Sequence, residues 1–106
     1  MRYATPYGAF HVDPMPGNPQ VAICSGFFVF PKHRSKGNGH RLKAYQENVL
    51  FEQGYSLALC TVRADNAPQL AVLTKAQWDE GRTFFNEQTS VLTTVFTLAI
   101  YRERTA

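Results

Sequence analysis

One strand–helix–strand unit constrains the fold of this chain more than any other feature. Residues 20–30 are rich in Val, Ile and Phe and end at Pro31, as a mostly buried strand does. Residues 39–53 contain good helix formers, and Gly54 is placed to end that helix. A second apolar strand follows over residues 55–62. A strand, a helix and a strand in this order predict two neighbouring parallel strands joined by the helix.

Details within this unit predict where the chain bends and which helix face is buried. Gly26 interrupts the first strand and marks a bulge or a close backbone approach. The helical period places Leu42, Tyr45 and Val49 on one apolar face.

The flanking segments predict further strands and a second helix. Tyr3 to Val12 resembles a strand interrupted by Pro6 and Gly8, and the proline-rich segment Asp13 to Pro19 predicts an exposed hairpin connection without strand structure. A helix is expected from Pro68 to about Trp78, with Leu70, Leu73 and Gln77 along one side. Two strands, a brief one over Thr83 to Phe85 and a final one over Thr93 to Tyr101, complete the prediction.

Composition limits the chain to one compact domain over residues 1–106. With 44% hydrophobic residues, 106 residues supply one core and not two. The longest apolar runs, Val21 to Phe30 and Val91 to Tyr101, fall short of the roughly 20 residues that a membrane span needs. The N-terminal residues lack the apolar stretch of a secretory signal, and the two cysteines, Cys24 and Cys60, form no disulfide framework. We therefore expect a cytoplasmic protein with no membrane partner.

A cluster of basic residues with two glycines lies between the first strand and the helix. No carboxylate occurs between Pro14 and Gln46, and five of the eleven basic residues fall in residues 31–44: Lys32, Arg34, Lys36, Arg41 and Lys43. Gly37 and Gly39 permit close approach of a ligand to the backbone, and the helix begins there with free amides and a positive dipole end. The segment therefore predicts a cradle for an anion such as a diphosphate.

Two known phosphate-binding motifs are not present in this segment, which argues against nucleotide triphosphatases and dinucleotide-binding enzymes. The Walker A pattern is absent, and Leu42 stands where a dinucleotide-binding G-x-G-x-x-G motif has its last glycine. Two other interpretations stay open, a solvated basic loop and a nucleic-acid contact. The aromatic residues lie mostly in predicted strands and are not interleaved with the basic ones, which argues against a stacking platform for single strands.

The loop Arg34-Ser35-Lys36-Gly37-Asn38-Gly39 resembles the signature Arg/Gln-x-x-Gly-x-Gly/Ala of the GNAT superfamily of acyl-coenzyme A N-acyltransferases. The order of elements from about residue 20 onward is also similar to the C-terminal half of that family. The resemblance implies a mixed α+β fold: a central, mostly antiparallel sheet with one splayed parallel strand pair and two main helices. It would lack the usual N-terminal strand and helices.

The resemblance also implies positions for the co-substrate, acetyl-CoA. Backbone groups of Phe27, Phe28 and Val29 would meet the pantetheine arm, and amides of Arg34, Ser35, Lys36, Gly37, Asn38 and Gly39 would hold the pyrophosphate. Asn66 matches the family's asparagine beside the pantetheine, although a loop or helix-cap role is the alternative. Three histidines and two widely separated cysteines give no metal-ligand spacing, so no metal is expected.

Departures from the family pattern leave the acid–base groups open. The position at which many members have a general-acid tyrosine is Leu73, and Gln77 replaces a common glycine before the aromatic Trp78. Polar residues that could face the cleft are Ser25, Cys24, His11 and Tyr55, whereas Cys60 is interpreted as an inert buried thiol. Only about twenty residues precede the strand at Gln20, so the acceptor-binding wall is expected to be minimal or supplied by another subunit, as in a homodimer.

These observations predict an acetyl-CoA-dependent N-acetyltransferase that transfers the acetyl group directly to an amine, on a protein lysine or a small molecule. A catalytically reduced, GNAT-fold binding or assembly protein of a phage-like, viral type is the main alternative, because of Leu73 and the short N-terminus. A basic nucleic-acid-binding module is the other alternative.

Overall fold

A computed structural model describes residues 1–101 as one six-stranded sheet with two helices. A short 3₁₀ turn at Pro31–His33 follows the third strand. The elements in chain order are β1 (Arg2–Ala4), β2 (Gly8–Met15), β3 (Asn18–Val29), α1 (Asn38–Glu52), β4 (Leu57–Arg63), α2 (Ala67–Lys75), β5 (Asp79–Asn86) and β6 (Val91–Ala99).

The sheet has the strand order β1-β2-β3-β4-β6-β5. Among the described strands, β3 and β4 pair in parallel and every other neighbouring pair is antiparallel. This arrangement confirms the predicted α+β class with one parallel pair, which α1 connects.

Strands β3 and β4 pair only near their beginnings. Their ladder covers three residue pairs and ends at Ile23 opposite Leu59, although β3 continues to Val29 and β4 to Arg63. The strands part just before the bend in β3 at Gly26, which has φ +61°. The register between β2 and β3 shifts at the same place, so the predicted bulge is confirmed.

The expectation of a structureless connection over residues 13–19 is wrong in extent, although the hairpin is present. Strand β2 continues to Met15 and β3 already begins at Asn18, so only Pro16 and Gly17 form the turn. Pro14 is tolerated in β2 because the register with β3 shifts directly after it, and proline is compatible with a strand at such irregularities.

The second helix is shorter, and the strand after it longer, than the sequence pattern predicts. Helix α2 ends at Lys75 because Gln77 adopts a left-handed conformation, with φ +62°. The chain then buries Trp78 and enters β5 at Asp79, well before the predicted start at Thr83.

The core lies between the sheet and the two helices. Its largest fully buried apolar side chains are Phe10, Leu42, Leu50, Leu73 and Phe96. The buried face of α1 also contains Lys43, 1% exposed, and Gln46, 0% exposed, whereas the predicted face residue Tyr45 is 37% exposed. No helix in residues 1–101 is long and apolar enough to cross a membrane.

Candidate active site

A cleft of about 610 Å³ lies where β3 diverges from β4 and both helices begin. We call it the outer cavity. Its walls are the end of β3, the loop before α1, the first turn of α1 and the start of α2, and none of the residues 1–101 that line it has a carboxylate. The lining residues are Phe27, Phe28, Val29, Arg34, Ser35, Gly37, Asn38, Gly39, His40, Asn66, Pro68, Gln69 and Val72.

The first turn of α1 supplies backbone amides to the outer cavity. Gly37 is the N-cap residue with φ +77°, and no side chain caps this helix end. A Cβ on Gly37 would meet no atom within 4 Å, so the glycine is required here by backbone conformation and not by packing. An uncapped helix N-terminus of this kind favours an anion.

Arg34 holds the loop against the end of β3. Its Nε donates a hydrogen bond to the backbone oxygen of Val29 at 2.9 Å, and its guanidinium carbon lies 4.9 Å from the centre of the Phe28 ring. Asn38 fixes the other side of the loop, since its amide donates to the His33 carbonyl at 2.8 Å. These contacts fix the loop that lines the outer cavity between β3 and α1.

Helix α2 closes the cleft against α1. A Cβ on Gly39 would lie 3.1 Å from Cγ2 of Val72, so the second glycine of the motif permits close packing of the helices. The side-chain oxygen of Asn66 accepts a hydrogen bond from the backbone N–H of Gln69 at 3.3 Å and thereby caps α2. The cap role anticipated for Asn66 is thus confirmed, and the residue also lines the outer cavity.

A second cavity of about 220 Å³ fills the wedge between the diverging strands, and we call it the inner cavity. It adjoins the outer cavity, because Phe27, Asn66 and Gln69 line both. Its remaining lining residues are Cys24, Ser25, Gly26, Lys43, Gln46, Cys60, Thr61, Val62 and Arg63.

Lys43 is the buried cation of the inner cavity. Its Nζ donates to Oε1 of Gln46 at 2.7 Å and lies 4.3 Å from the centre of the Phe27 ring and 4.5 Å from that of Trp78. Burial lowers the pKa of the Lys43 ammonium, because the charged form loses its hydration. Half-buried Glu47 is affected in the opposite sense: burial raises the pKa of its carboxyl, while Lys43 lowers it.

The two thiols beside Lys43 are held protonated. Burial raises the pKa of Cys24 to about 12, and Lys43 offsets only part of that effect. Burial also raises the pKa of the Cys60 thiol. Since the thiolate is the nucleophile, both cysteines are unreactive near neutral pH, which agrees with the interpretation of Cys60 as an inert buried thiol.

The structure gathers most of the predicted co-substrate residues around one cleft. Of that set only Lys36 does not line the outer cavity, and its side chain is exposed on the loop. Lys43 belongs to the basic cluster that the sequence shows before and within α1. Its side chain is buried, because position 43 lies on the inner face of α1.

The candidate acid–base residues are distributed more widely. Ser25 and Cys24 line the inner cavity. His11 does not line it, but it pairs with Ser25 in the β2–β3 register, and its ring packs against Gly26. Tyr55 precedes β4, at the end of that strand away from the divergence, so the structure does not bring it to the cleft.

Several residues that line the two cavities were not among the predicted site residues. His40, Pro68, Gln69 and Val72 line the outer cavity, and Lys43 and Gln46 line the inner one. The helical period contained the signal for the last two, because positions 43 and 46 share the face of Leu42 and Leu50.

The profile of the Acetyltransferase (GNAT) family matches residues 5–77, more than half of the chain. The chain belongs to the GNAT acetyltransferase family. Comparison with curated protein sequences gives no match.

Solved structures agree with the GNAT fold at low sequence identity. The ribosomal-protein-S18-alanine N-acetyltransferase of Escherichia coli is 15% identical with a TM-score of 0.76, over 98% of this chain and 71% of that one. IAA acetyltransferase from Bacillus cereus is 13% identical with a TM-score of 0.79, over 92% and 73%. The yncA acetyltransferase structure from Salmonella typhimurium, which contains its cofactor acetyl-CoA, is 15% identical with a TM-score of 0.76, over 94% and 61%.

These GNAT proteins are longer than this chain, which spans between 60% and 73% of the eight neighbours compared. Identities of 17% or less establish the shared fold alone.

Proposed function

We propose that this GNAT protein is an N-acetyltransferase that binds acetyl-CoA in the outer cavity and transfers the acetyl group directly to an amine. One observation carries the proposal: within residues 1–101, a cleft without carboxylates joins the uncapped N-terminus of α1 to the end of β3, whose edge toward β4 is unpaired. This combination offers amides for a pyrophosphate and free strand groups for an extended, amide-containing arm.

The residues of the cleft fit coenzyme A along its length. The loop amides of residues 34–39 would hold the pyrophosphate, while Arg34 keeps the loop in place through its bond to Val29. Beyond Ile23, the edge of β3 that faces β4 has no partner strand, so Phe27 to Val29 offer backbone groups to the pantetheine. Asn66 faces the same cavity from the start of α2.

Acetyl-CoA supplies an activated acyl group, and the chain's own residues position it for attack by an amine. The amine nitrogen forms a bond to the carbonyl carbon, the carbon–sulfur bond breaks, and its electron pair goes to sulfur. The nitrogen loses one proton and the departing thiolate takes one up from solvent, which gives an N-acetyl amide and coenzyme A thiol. Ser25 lies in the wedge and His11 is its strand partner, so we propose these two as the polar groups nearest the incoming amine. The acceptor class, a protein lysine or a small amine, is part of this proposal.

Calorimetric titration with acetyl-CoA tests the binding step. In the Gly37→Asp variant a carboxylate would project from the helix N-cap into the cradle, and we expect a loss of affinity of at least about tenfold through like-charge repulsion. Gly54→Asp is the matched control: Gly54 has φ +85°, its Cβ would also meet nothing within 4 Å, and it lies beyond the other end of α1. Equal affinities in the two variants, or no binding by folded wild-type protein, would contradict the proposal.

One observation favours a second candidate, a GNAT-fold binding protein without transferase activity. Leu73 occupies the position at which many GNAT members have a general-acid tyrosine. Its side chain is aliphatic and fully buried in the core, so it has no proton to donate. Release of free coenzyme A thiol in the presence of a panel of lysyl peptides and alkylamines separates the candidates. Amine-dependent release supports the transferase, whereas tight binding without release supports the binding protein.

A further inference from the structure

Lys43 carries its charge in the inner cavity without an anionic partner. It is 1% exposed, and within residues 1–101 no carboxylate oxygen lies within 4 Å of its Nζ. Buried lysines are usually paired, because an unpaired charge is costly in a low-dielectric interior. Two aromatic rings and one amide oxygen lie around Nζ, and none of them carries a full negative charge.

Gln46 adds a second donor that lacks an acceptor. Its Oε1 accepts from Lys43, which leaves Nε2 as the free end of the amide. That nitrogen is buried and has no hydrogen-bond acceptor among the described residues. Lys43 and Gln46 both line the inner cavity, and an ammonium and a carboxamide nitrogen are both hydrogen-bond donors.

The other walls do not supply an anionic partner. Among residues 1–101 no aspartate or glutamate lines the inner cavity, and the guanidinium of Arg63 is already paired with Asp65 at 3.1 Å. Glu47 lies one helical turn after Lys43 and interacts with it electrostatically, but its side chain does not line the cavity. The inner cavity is therefore rich in donors and positive in charge.

Its position identifies which part of a ligand would meet these donors. The outer cavity is lined by the N-terminus of α1, and the inner cavity adjoins it at Phe27, on the side away from the loop of residues 34–39. A coenzyme A thioester held by its pyrophosphate at the loop would therefore place its acyl end in the inner cavity. A volume of about 220 Å³ accommodates more than a two-carbon acyl group, since one water occupies about 30 Å³ in the liquid.

We infer that Lys43 and Gln46 select a coenzyme A thioester whose acyl group ends in a carboxylate, as in a monothioester of a dicarboxylic acid. A carboxylate would accept hydrogen bonds from both side chains and neutralise the buried ammonium. This inference rests on the proposed function, because it requires a coenzyme A thioester in the outer cavity. Acetyl-CoA then serves as the smallest donor, and a carboxylated acyl group binds more tightly.

Calorimetric affinities for coenzyme A, butyryl-CoA and succinyl-CoA test the inference without any acceptor amine. Butyryl-CoA matches the chain length of succinyl-CoA but lacks the carboxylate. For the wild-type protein we expect succinyl-CoA to bind at least about tenfold more tightly than butyryl-CoA, the effect of one hydrogen-bonded charge. Lys43→Met should abolish this preference while leaving coenzyme A affinity unchanged, and Lys75→Met, which removes an exposed lysine of α2, should preserve it.

The outcomes distinguish this inference from the proposed function. Equal or weaker binding of succinyl-CoA by the wild-type protein, or a preference that survives Lys43→Met, overturns the inference even if coenzyme A binds. Failure of coenzyme A and all thioesters to bind overturns the proposed function as well. Gln46→Leu gives a second check, since it should reduce the preference while the Lys43 charge remains.

Discussion

The stability of this protein should depend on pH through the buried thiol of Cys24. The side chain is 5% exposed, and burial raises its pKa from 9.0 to about 12. In the unfolded chain the thiol keeps its ordinary pKa of 9.0. Between these values the folded state keeps a proton that the unfolded state releases, so stability present below pH 9 is lost as the pH rises.

The size of the effect follows from that pKa difference. One pKa unit corresponds to about 1.4 kcal/mol, so the rise from 9.0 to about 12 corresponds to about 4 kcal/mol across the whole interval. About half of this, roughly 2 kcal/mol, should be lost by about pH 10.5.

Urea unfolding of wild-type protein and the Cys24→Ala variant at pH 7.5 and 10.5 measures this contribution. The variant lacks the thiol, so titrations common to both proteins cancel in the difference. We expect the wild-type protein to lose about 2 kcal/mol relative to the variant between the two pH values. A difference that stays constant within about 0.5 kcal/mol would refute the assignment of a protonated, buried thiol.

Two further stability predictions concern Lys43 and Gly8, and Gly17 serves as the control for Gly8. Lys43→Met should raise the free energy of unfolding at pH 7 by about 1–3 kcal/mol. This gain should shrink as the pH rises toward about 10.4, the pKa of lysine in the unfolded chain. The reason is that burial lowers the pKa of Lys43 in the folded state, so the wild-type protein becomes more stable as its folded form loses the proton that the unfolded form still holds. A loss of stability at pH 7 would contradict it. Gly8→Ala should cost about 2 kcal/mol or more, since its Cβ would lie 2.6 Å from the backbone oxygen of Phe28 and 2.9 Å from Cδ2 of Leu42. Gly17→Ala, with open space and φ +81°, should cost only about 1 kcal/mol in the same chemical unfolding assay.

Local sequence signals predict the strand, the loop and the helix around the outer cavity well. The strand ending at Pro31, the glycines and the helix that follows are all coded within a few residues of one another, so pattern and propensity suffice. The parallel pairing of β3 with β4 was predictable for the same reason, because a strand–helix–strand unit leaves few alternatives.

The inner cavity could not be predicted in this way. Lys43 and Gln46 are polar, and hydropathy assigns such residues to solvent even where the helical period turns them inward. The end of the β3–β4 ladder at Ile23 and Leu59 is equally invisible locally, since it depends on how two distant segments meet. The early end of α2 depends on a left-handed Gln77, for which the sequence contains no glycine signal.

The short ladder between β3 and β4 has a consequence for assembly of the sheet. Strands β1 to β3 form one antiparallel meander from the first 29 residues, and β4 to β6 form a second unit from residues 57–99. Three residue pairs and the packing of α1 join the two halves. Strands β1 to β3 and the β5–β6 hairpin pair segments that are neighbours in sequence, whereas β4 pairs on both sides with distant segments, Val21 with Leu57 and Arg63 with Thr93. Placing β4 is therefore the non-local step in assembly of the sheet. The inner cavity borders β4 where its ladder with β3 ends, and we expect backbone amides on these unpaired strand edges to exchange faster than those in the paired parts of the sheet.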